Sequence, residues 1–161
     1  MFGFIFVLRK EIILSLEIGQ VAPDFTLRNQ DREKVTLSDL KGQPVVLVFY
    51  PLDFSGLCTD ELCSVRDDYS SWEEKGATIF GISRDSIFCH AAFKEAQNIS
   101  HDLLSDMKGE VATLYGTWNE EGAIANRLTV VVNSEGTIAY TTQSETNAEA
   151  RDHSEVADYI S

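Results

Sequence analysis

The chain has 161 residues, 43% of them apolar and 24% charged, which is typical of one globular domain and excludes a disordered or collagen-like chain. Its 13 Lys and Arg residues face 26 Asp and Glu residues, so the formal net charge is -13. This acidic balance argues against nucleic acid or an anionic membrane as a partner, because both attract basic surfaces.

The N-terminal segment, residues 1–16, is predicted to be an extension that precedes a single domain at residues 17–161. Met1–Leu8 is almost wholly apolar, but charged residues at 9–11 end the run well short of the roughly 20 apolar residues of a membrane span. A secretory signal carries its positive charge before the apolar run, whereas here the charge follows it. We therefore expect no membrane partner and a cytoplasmic protein.

The apolar pattern predicts alternating strands and helices. In chain order these are an edge strand within Val21–Leu27, which forms a hairpin with Lys34–Leu37, a buried strand at Pro44–Tyr50, a helix at Thr59–Lys75, a strand at Ala77–Ile82, a helix at Asp85–Gln97, a short strand at Asp102–Ser105, a helix at Glu110–Tyr115, a hairpin of Leu128–Val132 with Thr137–Tyr140, and a last helix at Ala148–Ile160. Two buried strands that alternate with helices run parallel. The order resembles a thioredoxin-like α/β sandwich with a central mixed sheet, helices on both faces and an added N-terminal β-hairpin.

Cys58 is the first candidate for chemistry, because it follows the loop that leaves a buried strand and falls in the first turn of a predicted helix. Backbone N–H groups in that turn have no partner within the helix and carry partial positive charge, so they favour an anion such as a thiolate. The thiolate is the nucleophilic form of cysteine. On position alone, a nucleophile and a small buried core residue remain equal alternatives.

The neighbours of Cys58 favour the nucleophile. Pro51, Ser55 and Cys58 spell P-x-x-x-S-x-x-C, which resembles the active-site signature of the peroxiredoxins, where Thr or Ser stands at the middle position. Glu61 also fits that signature. The segment Gly122–Arg127 resembles the one from which that family delivers its active-site arginine.

Two further segments, Ala22–Leu27 and Val46–Pro51, resemble the opening strand of the peroxiredoxins and the strand before their active-site loop. The resemblance runs from about Glu17 to the C-terminus and leaves out the first residues. It implies a thiol-dependent peroxidase that reduces hydrogen peroxide and organic hydroperoxides through a cysteine sulfenic acid, with no cofactor. It also implies a thioredoxin-like or low-molecular-weight thiol as reductant, and it is compatible with a homodimer.

The resemblance assigns roles that suit each residue type. Ser55 offers a hydroxyl that accepts from the peroxide or donates to it, and Arg127 offers fixed donors that stabilise both thiolate and developing alkoxide. Pro51 shields the thiolate from water. Glu61 orients an arginine. Arg151, close to the chain end, is either an outer arginine of the site or an exposed helix arginine.

Cys63 is the candidate resolving cysteine, five residues after Cys58 in the same predicted helix. Five residues place the two side chains ~140° apart around the helix and ~7.5 Å apart along it, so an intact helix cannot close a disulfide between them. The pair resembles the bacterioferritin-comigratory or Q-type subgroup. The Gly-x-x-Ala-Asn-Arg segment instead resembles the alkyl-hydroperoxide-reductase E subgroup, in which an external thiol resolves.

Cys89, followed by His90, is interpreted as a core or bystander thiol, with a backup resolving role as the alternative. Three other functions are alternatives to the peroxidase. A thiol–disulfide oxidoreductase requires C-x-x-C, a zinc site would need Cys58, Cys63, Cys89 and His90 across splayed positions, and a binding module would have the fold without the activity.

Overall fold

The computed structural model describes residues 16–161, so the predicted extension at residues 1–16 lies, apart from its last residue, outside the described part of the chain. The elements are β1 (Thr26–Asn29), β2 (Lys34–Thr36), a 3-10 helix (Leu37–Leu40), β3 (Val45–Phe49), α1 (Gly56–Glu74), β4 (Thr78–Ser83), α2 (Ile87–Gln97), β5 (Asp102–Ser105), α3 (Glu110–Leu114), β6 (Trp118–Asn119), β7 (Ile124–Ala125), β8 (Leu128–Val132), β9 (Ile138–Gln143) and a second 3-10 helix (Val156–Tyr159). In residues 16–161, none of the helices has the length and apolar character needed to cross a membrane.

In the described part of the chain, seven strands form one mixed sheet in the order β2-β1-β5-β4-β3-β8-β9. The strands β3, β4 and β5 run parallel, whereas β8 lies antiparallel to β3 on its other side. The N-terminal hairpin is antiparallel and joins the sheet through β1, which pairs with β5. This arrangement confirms the predicted mixed sheet and shows that the hairpin extends it.

The central strand β3 is buried along its whole length, since helices cover both faces of the sheet. Val46, Val48 and Tyr50 pack with apolar residues of α1 and α2 on one face, while Val45 and Phe49 pack with residues of α3 on the other. Alternation along a strand sends successive side chains to opposite faces, so a continuous apolar run is needed for this position. The two cores fix β3, and with it the loop that follows.

The predicted helix at Ala148–Ile160 is wrong: only Val156–Tyr159 is helical there, as a 3-10 turn. In an α-helix the N–H of Arg151 would donate to the carbonyl of Asn147 four residues earlier. Instead, the Arg151 N–H donates to Glu61 Oε1 at 3.1 Å, and the Asn147 carbonyl accepts from Arg127 Nε at 3.0 Å. Side chains that are distant in sequence therefore form the hydrogen bonds that these backbone groups would make within a helix.

Smaller differences concern the edges of the fold. The strand predicted within Val21–Leu27 begins only at Thr26, and it lies between β2 and β5, so β2 and not β1 forms the edge. The helix α1 begins at Gly56, three residues before the predicted start. The two-residue strands β6 and β7 were not predicted, and neither was the 3-10 helix after β2.

His101 is a titratable residue placed inside the core next to β5. It is 1% exposed and stacks on Tyr69 of α1, with ring centroids 6.3 Å apart. Among the described residues, neither ring nitrogen has a hydrogen-bond partner. Burial, reinforced by the charge of Lys94, lowers the pKa of His101 to about 3. The folded protein therefore holds this ring neutral at pH values where an unfolded chain protonates it.

We predict that replacing His101 with Leu reduces the acid sensitivity of the fold. An unfolded histidine titrates near ~6.5, so the unfolded state binds the extra proton and stability falls as the pH drops from there towards the lowered folded value. Each pH unit in this range lowers the free energy of unfolding by up to about 1.4 kcal/mol. Between roughly pH 7 and pH 5, the free energy of unfolding of the parent should therefore fall by about 2 kcal/mol more than that of His101→Leu. Urea unfolding at both pH values measures this, and equal losses in both proteins would contradict it.

Candidate active site

Cys58 lies where the loop after β3 enters α1. Ser55 is the N-terminal cap of α1, with extended backbone, and Cys58 is the third residue of the helix. Its side chain is fully buried at 0% exposure. The N–H groups of this first turn have no carbonyl partners within the helix, so the sulfur lies in a region of positive backbone potential. The structure thus places Cys58 in the predicted setting, between a buried strand and a helix N-terminus.

Arg127, the residue before β8, contacts Cys58 directly. Its Nη2 donates to Cys58 Sγ at 3.3 Å and its Nη1 donates to Glu61 Oε2 at 2.6 Å. Its Nε donates to the Asn147 carbonyl, so three separate acceptors fix the guanidinium plane. The arginine is 2% exposed, which leaves its charge little screened by water. A buried cation is therefore held against the sulfur at a fixed orientation.

Glu61 joins this arginine to a second one. Arg151 Nε donates to Glu61 Oε1 at 2.5 Å, and Arg151 Nη1 donates to the Phe49 carbonyl at the end of β3, also at 2.5 Å. Burial opposes ionisation of Glu61, but the charge and hydrogen bonds of Arg151, with the charge of Arg127, outweigh it and hold the pKa of Glu61 below its usual value. Arg151 is 7% exposed, so of the two alternatives for this residue the structure has the buried one.

Ser55 and Pro51 lie in the loop beside Cys58. The Ser55 side chain makes no capping hydrogen bond to α1, so its hydroxyl remains available to another partner. Its backbone carbonyl accepts from the N–H of Thr59 at 2.9 Å, which closes the first turn of the helix. Pro51 is buried directly after Tyr50 and has no N–H group. The loop thus brings a free hydroxyl and an apolar ring to the entrance of the helix.

Cys63 lies in the same uninterrupted helix as Cys58, since α1 runs from Gly56 to Glu74. It is half-buried, and its thiol lies 3.8 Å from Gln97 Oε1 at the end of α2. Cys58 and Cys63 are both free thiols. The helix that separates them is regular, so a disulfide between them requires α1 to unwind locally.

Cys89, in α2, is surrounded by acidic groups. Burial, together with the charges of Asp53 and Asp85, raises the pKa of the Cys89 thiol to about 12. The thiol lies 3.7 Å from Asp85 Oδ1 and donates to it. At neutral pH this sulfur stays protonated and is a poor nucleophile, which supports the interpretation as a bystander.

A buried polar cluster behind the loop was not anticipated from the sequence. His90 Nδ1 lies 2.7 Å from Asp53 Oδ2, and His90 Nε2 lies 3.1 Å from the Leu104 carbonyl. Tyr50 Oη donates to Asp53 Oδ1 at 2.6 Å. Both ring nitrogens of His90 therefore have hydrogen-bond partners, so neither is free to bind the zinc ion considered as an alternative. The only hint of this cluster in the sequence is Asp53, an acidic residue in the loop between a buried strand and a helix.

The arrangement of Cys58, Arg127 and Glu61 suits a reaction in which a thiolate attacks and negative charge develops beside it. The helix N-terminus and the guanidinium stabilise an anion at the sulfur, and both are in place before the reaction begins. Glu61 fixes the arginine without contacting the sulfur in the structure. The arrangement is therefore suited to nucleophilic attack by the Cys58 sulfur.

The chain is similar to known proteins over most of its length. Residues 18–141 match the AhpC/TSA family. Peroxiredoxin Bcp of Bacillus subtilis is 39% identical over 129 residues, which cover 76% of this chain and 82% of that protein. Peroxiredoxin Q, chloroplastic, of Suaeda salsa is 37% identical over 131 residues, which cover 81% of this chain and 61% of the relative. The chain thus spans most of the bacterial relative and about three fifths of the plant one.

Solved structures show the same fold. Peroxidoxin BcpB from Mycobacterium tuberculosis superposes with a TM-score of 0.77 at 31% identity, over 88% of this chain and 94% of that one. Enterococcus faecalis AhpC gives a TM-score of 0.82 at 26% identity, over 89% of each chain. Of the two subgroups that the sequence resembles, these relatives support the bacterioferritin-comigratory or Q type. Because the family match and the identity to Bcp and Q relatives cover most of the chain, the protein belongs to the AhpC/TSA family and is a peroxiredoxin, a thiol-dependent peroxidase.

Proposed function

We propose that Cys58 is the peroxidatic cysteine and that it reduces hydrogen peroxide and organic hydroperoxides. The observation that carries this is the 3.3 Å contact from Arg127 Nη2 to Cys58 Sγ, made inside the protein at the N-terminus of α1. A cation and a helix N-terminus at one sulfur favour its thiolate, the form that attacks peroxides.

In the proposed reaction, the Cys58 thiolate attacks the terminal oxygen of a hydroperoxide. A sulfur–oxygen bond forms, the oxygen–oxygen bond breaks, and the sulfur is oxidised by two electrons to a sulfenic acid. The other oxygen leaves as an alkoxide or hydroxide, which takes a proton to become an alcohol or water. Arg127 stabilises both the attacking sulfur and the negative charge that builds on the leaving oxygen.

Ser55 and Pro51 act on the peroxide and its access. The uncapped hydroxyl of Ser55 accepts a hydrogen bond from the peroxide or donates one to it. Pro51 presents a buried ring without an N–H group, so it limits water at the thiolate. Glu61 and Arg151 belong to the outer part of the site, where they hold Arg127 in orientation.

We further propose that Cys63 resolves the sulfenic acid within the chain. Its thiolate attacks the Cys58 sulfur, a disulfide forms as the sulfur–oxygen bond breaks, and the hydroxide that leaves takes a proton to become water. The half-buried position of Cys63 and its place in the same helix support this role, although α1 must unwind for the bond to close. Resolution by an external thiol is the alternative that the experiments below separate from it.

The disulfide would then be reduced by a thioredoxin-type protein, with a low-molecular-weight thiol as the alternative reductant. Three free cysteines suit a reducing compartment, which supports a cytoplasmic location. A homodimer is part of the same proposal and follows only from the family.

We predict that Arg127→Lys slows oxidation of Cys58 by about 100-fold or more, because an ammonium cannot serve three acceptors in one plane. Stopped-flow measurement of the reduced protein mixed with hydrogen peroxide gives the rate. Cys58→Ser is the inactive control. Arg28→Lys, at an exposed position of β1, is the matched control for an arginine-to-lysine change outside the site. A near-normal rate in Arg127→Lys would remove the arginine from the proposed mechanism.

We predict that Cys63→Ser keeps the first reaction with peroxide but stops at the sulfenic acid. After one equivalent of peroxide, intact mass spectrometry should show the parent lighter by two hydrogen atoms and Cys63→Ser heavier by one oxygen atom. Further peroxide should over-oxidise the variant more readily than the parent. Cys89→Ser is the matched control and should behave as the parent does. Normal turnover of Cys63→Ser with a thioredoxin-type reductant would favour external resolution.

We predict that oxidation loosens the start of α1 while the sheet stays intact. Amide hydrogen exchange should be faster in the oxidised protein across residues 54–65, because a disulfide between Cys58 and Cys63 is incompatible with helical hydrogen bonds there. Amides of β3 and β4 should exchange equally slowly in both states. Unchanged protection of α1 in a protein shown by mass to hold the disulfide would contradict the required unwinding.

A further inference from the structure

We propose that His90 and Asp53 form a positioning pair that holds the active-site loop in its reactive conformation. The proposal rests on the role of Cys58 given above and adds two residues that have no part in the signature around it. Neither touches the sulfur in the structure. They act on the loop that carries Ser55 and leads into α1.

The first step concerns the proton on His90. The ring is 0% exposed, and a carbonyl oxygen only accepts hydrogen bonds, so Nε2 must carry the hydrogen that it directs at the Leu104 carbonyl 3.1 Å away. The other nitrogen, Nδ1, then faces Asp53 Oδ2 at 2.7 Å. Both ring nitrogens are therefore engaged, and a short contact joins the ring to Asp53 in a site without exposure to water.

The second step concerns the number of attachments to Asp53. Its other carboxylate oxygen accepts from Tyr50 Oη at 2.6 Å, and its backbone N–H donates to Asp85 Oδ2 at 2.8 Å. Asp85 is itself held by Ser83 Oγ at 2.6 Å. Asp53 is thus tied to the end of β3, to α2 and to the loop after β4. A loop residue attached at three points has little freedom to move.

The third step concerns the next residue, Phe54. Its φ is 61°, in the left-handed region, which is strained for an aromatic residue. Its ring packs on Phe93 of α2 with centroids 5.0 Å apart, and His90 lies one turn earlier on the same helix. One face of α2 therefore holds both Asp53 and Phe54. These contacts stabilise the corner that directs Ser55 into the cap position of α1.

A metal ion is a poorer interpretation of the same cluster. Asp53, Asp85 and Cys89 offer atoms within 4.8 Å of one another. Each carboxylate oxygen, however, already has a hydrogen-bond partner, and the Cys89 thiol stays protonated. The carboxylate oxygens of the cluster thus already have protein partners and need no metal ion, and their hydrogen bonds hold the loop at Asp53.

Two substitutions of His90 separate positioning from bulk stability. An asparagine amide reproduces the position of Nδ1 and can donate to Asp53, whereas a glutamine amide reproduces Nε2 and can donate only to the Leu104 carbonyl. Both remove the ring and should lower the melting temperature to a similar extent. We expect His90→Asn to oxidise within about threefold of the parent rate and His90→Gln to oxidise at least about tenfold more slowly, since misplacement of reacting groups is costly.

A second pair tests the other partner. In Asp53→Asn the amide can donate to Nδ1 and its oxygen can accept from Tyr50, so the loop keeps its attachments. Asp53→Ala loses them. Single-turnover stopped-flow with hydrogen peroxide should therefore show a rate near that of the parent for Asp53→Asn and a rate at least about tenfold lower for Asp53→Ala. This pair also serves if a His90 variant fails to fold.

The outcomes are distinct. Equal rates for His90→Asn and His90→Gln, together with equal rates for the two Asp53 variants, would overturn the positioning pair. Rates that simply follow the melting temperature across all four variants would do the same, because they indicate a structural role alone. If the parent itself fails to react faster than Cys58→Ser, the proposed role of Cys58 is wrong, and that result does not depend on His90.

Discussion

The site depends on the ion pairs that the carboxylate of Glu61 makes with two buried arginines. One oxygen accepts from Arg127 and the other from Arg151, and all three side chains are at most 7% exposed. Removing one member of a buried charge cluster leaves an uncompensated charge inside the protein, which costs about 3–5 kcal/mol. The cluster therefore locks the arginine that contacts Cys58, and it requires the chain from three distant regions to meet at one point.

The sheet explains how two of these regions meet. Phe49 of β3 pairs with Leu128 of β8, so Arg127 lies beside the point where the chain leaves β3 for the active-site loop. Glu61 follows one turn into α1, at the same edge of the sheet. The third region is the segment around Arg151, whose guanidinium also donates to the Phe49 carbonyl. All three contacts are anchored at the end of one buried strand, which both cores hold rigid.

The site is supported from the opposite side by α2. His90 and Phe93 contact the loop before Ser55, while Arg127 and Glu61 contact the helix after it. The first turn of α1 is therefore held from both directions in the reduced protein. The resolution by Cys63 that we propose would require the same turn to unwind, so the contacts that hold Cys58 in place would be the ones that oxidation has to break. A helix N-terminus suits both demands, since its first turn has few internal hydrogen bonds to lose.

Local sequence by itself determined most of the elements and the setting of Cys58 at the start of a helix. The unbroken apolar run of β3 predicts a strand covered on both faces, and the loop after it places Cys58 in the first turn of a helix. The spacing of Pro51, Ser55 and Cys58 carried the resemblance to the family only together with three further matching segments, Ala22–Leu27, Val46–Pro51 and Gly122–Arg127. Only the tertiary structure decided which partners Arg151 and His90 contact. The segment around Arg151 has the composition of a helix, but Glu61 and Arg127 take its backbone groups, and these partners are far away in sequence. The Asp53–His90 pair likewise joins a loop to a helix 37 residues later, and no local pattern encodes a contact that exists only once the sheet has brought both ends together.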